Sequence, residues 1–99
     1  MRIEQRDTDT ELRLLITHPM ENGRNRELLT GELIPAHFIT EIVLALNHTP
    51  ILTINTGGSM SKNPFFSFQL KQLQNNDLLS VSWQDNRQEN DHAELRVVR

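Results

Sequence analysis

The sequence predicts an all-β protein, an antiparallel β-sandwich, on three observations. Apolar residues recur with a period of two in segment after segment, the pattern of strands with one face buried. Turn-forming residues stand between those segments. No stretch repeats apolar residues at helical spacing over a useful length, so a layer of helices is not expected.

Taken in order, Met1–Arg6 is a possible first strand. Leu12, Leu14 and Ile16 alternate with Glu11, Arg13 and Thr17, with Leu15 alone out of step. Residues 18–35 form a connection longer than compact domains usually carry, with room for a short ribbon or helical turn around Glu27–Leu29. From Phe38 to Leu46 both faces are largely apolar, which predicts a central strand. Asn47-His48 makes a two-residue turn, because Asn tolerates the positive φ such turns need. The strand that follows, Thr49–Ile54, contains Pro50, which has no N–H for a ladder and so belongs at an edge or a strand start. Thr56–Ser59 ends it. Phe66, Phe68 and Leu70 then alternate with Phe65, Ser67, Gln69 and Lys71. Asn75–Asp77 turns the chain, Leu79, Val81 and Trp83 face inward, Asp85–Asp91 is a polar turn, and Ala93, Leu95 and Val97 alternate to the end.

Length and composition bound the function. Ninety-nine residues at 36% hydrophobic allow one domain, spanning 1–99, with a lean core. Ten Lys plus Arg against 13 Asp plus Glu leave a net charge of -3, which opposes the basic surface a nucleic-acid partner requires. No apolar run is long enough to span a membrane as a helix. The first residues are charged where an export signal needs an unbroken apolar segment. The absence of cysteine excludes disulfides, thiolate metal sites and a Cys nucleophile on this chain.

Few residues have the chemistry of a site. His18, His37, His48 and His92 are the catalytic or metal candidates, yet they form no His-x-His or His-Glu-x-x-His pattern. They read as loop and strand-end residues making local hydrogen bonds, although strands of a sandwich could still bring three of them to one metal. Thr56–Lys62 lacks the Gly-Lys-Ser/Thr ending and the following helix of a phosphate loop. In Phe65-Phe66, adjacent strand residues point to opposite faces, so a sheet with one wet face exposes one ring. Such a ring beside the rigid Asn63-Pro64 turn suits a protein interface; burial of both rings is the alternative. His18-Pro19-Met20 is a stiff exit from the strand before it, since Pro19 holds His18 extended, and serves either as a loop anchor or in partner recognition. Trp83 is expected in the core.

Leu15-Ile16-Thr17-His18-Pro19-Met20-Glu21, Ile34-Pro35, Ser61-Lys62-Asn63-Pro64-Phe65-Phe66 and Trp83-Gln84-Asp85 occur in an order and spacing that resemble the SoxZ family of sulfur-oxidation proteins. The resemblance runs from about Leu12 to Val98, and its most specific part is His-Pro-Met-Glu. Ala36 stands where a basic residue commonly follows Ile-Pro, His48 where a Gly follows Asn, and Lys62 where a small residue precedes Asn-Pro.

The resemblance implies an immunoglobulin-like β-sandwich that supplies no catalytic residue and binds no cofactor or metal. It implies a heterodimer with a SoxY-type chain, whose Cys in a flexible Gly-rich C-terminal tail carries covalent sulfur intermediates from thiosulfate. Other Sox enzymes visit that carrier transiently in the periplasm, which this chain reaches by export with a signal-bearing SoxY. The expected partner-binding residues are His18, Pro19 and Met20 at one corner, and Asn63, Pro64, Phe65 and Phe66 at one turn. A His-based metal or hydrolytic protein and a generic β-sandwich recognition module are the competing readings.

Overall fold

The computed structural model describes residues 1–5, 11–70 and 73–98. Its elements are all strands: β1 (Arg2–Gln5), β2 (Glu11–Leu15), β3 (Ile39–Leu46), β4 (Thr49–Asn55), β5 (Phe65–Gln69), β6 (Leu78–Asp85) and β7 (Asn90–Arg96). They form a three-stranded sheet in the order β1-β2-β5 and a four-stranded sheet in the order β4-β3-β6-β7, with every pairing antiparallel. The two sheets pack face to face as an immunoglobulin-like β-sandwich. The expected strand at Met1–Arg6 is β1, and its last residue lies outside the described residues, as does Lys71 after β5.

The alternation works as the period of two requires. Leu12 and Leu14 of β2 and the following Ile16 face Ile42, Leu44, Leu79 and Val81 of the other sheet, all at most 2% exposed. Each such side chain contributes about 1.5–3 kcal/mol by leaving water. The doubly apolar segment is the central β3, between β4 and β6. The strand carrying Pro50 is the edge strand β4, and a bulge at Ile51 separates the Leu44–Leu52 and Ala45–Pro50 pairs. Asn47 and His48 take φ of 49° and 72°, both positive, as a tight hairpin of this type demands.

The long connection folds as a ribbon. Antiparallel bridges join Glu21 to His37 and Arg26 to Leu33, and the Gly31 N–H donates to the Glu27 carbonyl to close the tip. Gly31 takes φ of 70°, which suits this turn. Leu28 and Leu29, at the tip, are fully exposed.

Candidate functional site

The two segments singled out for partner binding meet in space. Asn63 clasps the backbone of His18 from both sides: its Oδ1 accepts the His18 N–H at 2.9 Å, and its own N–H donates to the His18 carbonyl at 3.0 Å. The clasp depends on Asn63 holding φ of 51°, a left-handed conformation that Asn tolerates better than most residues. One residue further, the Ile16 N–H donates to the Pro64 carbonyl at 3.1 Å. The His-Pro-Met corner and the Asn-Pro-Phe turn are one structural unit.

Within that unit the seven residues separate by exposure. His18, Met20 and Pro64 are buried, and Phe66 is half-buried on the inner face, stacked on Phe68 with ring centroids 6.1 Å apart. Pro19, Asn63 and Phe65 lie at the surface. Phe65 is 54% exposed, pairs across the strands with the exposed Leu15, and has the Arg13 guanidinium 6.0 Å from its ring centre. One ring of the Phe65-Phe66 pair therefore packs against the core and the other is in water.

Beneath the corner lies a cluster that the sequence pattern did not announce. His18 Nε2 is 3.1 Å and His37 Nε2 is 2.7 Å from the same oxygen, Asp85 Oδ2, while the other oxygen accepts the backbone N–H groups of Arg87 and Glu89, each at 2.9 Å. His37 Nε2 also lies 3.0 Å from Glu89 Oε2, and the two imidazoles meet edge to face at 4.6 Å. Trp83 stands against His18 at 5.2 Å, its ring perpendicular. Burial acts to raise the Asp85 pKa, but the bonds from His18, the Glu89 N–H, His37 and the Arg87 N–H outweigh it and hold the carboxyl at about 2. The bonds of His18 and His37 to Asp85 are long-range, not local, and His48 and His92 are exposed elsewhere.

Three candidate metal ligands, His18, His37 and Asp85, thus converge. The tautomer decides what the cluster does. The Met20 N–H donates to His18 Nδ1 at 3.1 Å, so Nδ1 carries no proton and Nε2 must. That Nε2–H points at Asp85, with no lone pair left for a cation. A metal on Nε2 would require a proton on Nδ1, opposed to the Met20 N–H. The donor set fits a hydrogen-bonded lock that ties the corner at residue 18 and the ribbon's exit at residue 37 to the end of β6. Met20, at φ of 50°, is held by the same device, and its Sδ accepts the Ile39 N–H at 3.4 Å. The clue available in the sequence was the Trp83-Gln84-Asp85 segment; nothing in its spacing linked Asp85 to His18 or His37.

A search of curated proteins finds no match to this chain. The family model described as sulphur oxidation protein SoxZ matches residues 1–96. That match covers nearly the whole sandwich, including the clasped corner, the aromatic turn and the buried cluster, and on it the chain belongs to the SoxZ family of sulfur-oxidation proteins.

Proposed function

We propose that this protein is the non-catalytic half of a sulfur carrier. It forms a heterodimer with a SoxY-type chain, whose C-terminal Cys holds covalent sulfur intermediates during thiosulfate oxidation, and the complex works in the periplasm. The family match over residues 1–96 carries this reading. The composition supports it, because a chain with no Cys cannot itself hold sulfur as a persulfide or thiosulfonate.

The geometry supports a structural role. The imidazoles of His18 and His37 are spent on Asp85, and neither the surface depression lined by Ser82, Trp83 and Gln84 nor the one lined by Asn22, Phe38 and Gly58 contains any of the three. Pro19, Asn63 and Phe65, with Leu15 beside them, are the part of the predicted binding set available to a partner; His18, Met20, Pro64 and Phe66 hold that surface in shape. A rigid, partly apolar patch of this kind is what a protein interface favours.

Co-expression with a signal-bearing SoxY-type protein ending in a Gly-rich tail with one Cys tests the reading. A stable one-to-one complex in the periplasmic fraction is expected, with intact mass spectrometry placing the sulfur adduct on the partner. Failure of the two chains to co-purify would overturn it.

A further inference from the structure

The sandwich has four sheet edges, β1, β4, β5 and β7, and three of them carry either a packed neighbouring strand or a break in the ladder. β1 lies against β7, and Gln5 bonds the Val98 backbone in both directions, at 2.8 and 2.9 Å, across that side. On β4, Pro50 removes a donor and the bulge at Ile51 breaks the repeat, two devices by which proteins keep an edge from pairing. β5 has neither. Its five residues, Phe65-Phe66-Ser67-Phe68-Gln69, include no charge, Pro or Gly, and their register against β2 is unbroken.

The direction of its backbone follows from the ladder. The Ile16 N–H donates to the Pro64 carbonyl, so Pro64 is at a hydrogen-bonded position, and alternation puts Phe66 and Phe68 at the next two. Phe65, Ser67 and Gln69 therefore turn their N–H and C=O groups away from β2, and among the described residues nothing pairs with them. Groups repeating every second residue along an extended chain match only another extended chain. On the inner side, such a chain would cover the half-buried Phe66 and Phe68; on the outer side, it would run beside the exposed Phe65.

We infer that β5 is the docking edge for the carrier partner, which adds an extended strand of its own and makes the three-stranded sheet four-stranded. The inference rests on the heterodimer proposed above and names where it forms. The edge is continuous with the Phe65–Leu15 surface, so one partner covers both. A second copy of this chain is the lesser candidate, since two chains of net charge -3 repel.

Amide hydrogen exchange on the free chain and on the complex tests this. On binding, the amides of Phe65, Ser67 and Gln69 should slow by at least about a hundredfold, while those of Phe66 and Phe68, already bonded to β2, change far less. Ser67→Pro removes one outward donor and leaves the β2 ladder intact, so the folded variant should bind at least about tenfold more weakly. Ser67→Ala, which keeps the N–H, should bind within about threefold of the parent. Should the proline variant fail to fold, the alternating exchange pattern decides alone. A stable complex in which these three amides still exchange freely would overturn the docking edge and leave the heterodimer standing. Absence of any complex would overturn both. Dimerisation of the chain alone, with the same alternating protection, would give the edge to a second copy and overturn the inference.

Discussion

His18 Nε2 donates to Asp85 Oδ2 at 3.1 Å across 67 residues of chain, and both side chains are almost sealed from water. The bond joins the loop leaving β2 to the last residue of β6, so it fixes one end of the sandwich. It also sets the backbone of the Pro19 corner against Asn63 and, through it, the position of Phe65.

Asp85 should make stability depend on acid. Its carboxyl sits at about 2 in the folded protein against 3.8 for an ordinary Asp. The folded state thus binds this proton less readily than the unfolded one. The resulting stabilisation, about 2 kcal/mol, is complete above roughly pH 4 and is lost as pH falls through about 2. Denaturant melts from pH 5 to pH 2 should show the loss, and Asp85→Asn should remove that part of the slope. Because the Arg87 and Glu89 N–H groups then face an amide instead of a carboxylate, Asp85→Asn should also lower stability at pH 7 by about 2–4 kcal/mol. An unchanged slope would show that Asp85 is not the group responsible.

The tautomer of His18 is directly measurable. Long-range nitrogen–proton NMR should place its proton on Nε2 and leave Nδ1 bare, as the Met20 N–H requires. Zinc at one equivalent should leave these resonances in place. Stoichiometric zinc that disappears in His18→Ala would restore the metal-site reading.

Asn63 has two separable jobs, holding φ of 51° and accepting the His18 N–H. Asn63→Gly keeps the conformation and loses the acceptor, for an expected cost of about 1 kcal/mol. Asn63→Ala loses both and should cost about 2–3 kcal/mol. Equal melting of the two variants would mean that the backbone conformation carries no strain for Ala.

Phe65 and Phe66 should separate binding from folding. Phe65→Asp, at an exposed position, is expected to change stability by less than about 1 kcal/mol and to weaken the partner complex at least tenfold. Phe66→Asp puts a carboxylate between the sheets and should cost about 3 kcal/mol or more. Thermal melts and a binding titration on the same two proteins check both; a Phe65→Asp variant that binds normally removes that ring from the interface.

The strands and the tight turns were legible because their causes are local. Alternation along Leu79–Trp83 sets which side chains are buried whatever lies opposite, and Asn47-His48 can adopt its positive φ values without help from the rest of the chain. The family was legible too, from short motifs whose order survives in one dimension. The ribbon at residues 21–37 was visible as a connection too long to be featureless, though its pairing was not.

Only the packing of the two sheets decided the rest. It placed His37 and His18 on one Asp85 oxygen, joined Asn63 to His18, put Phe65 in water with Phe66 on the inner face, and left β5 as an edge strand with no proline or bulge. These contacts link residues 45 to 67 positions apart in the case of His18. No period along the chain encodes such a distance, because it depends on how one sheet lies over the other.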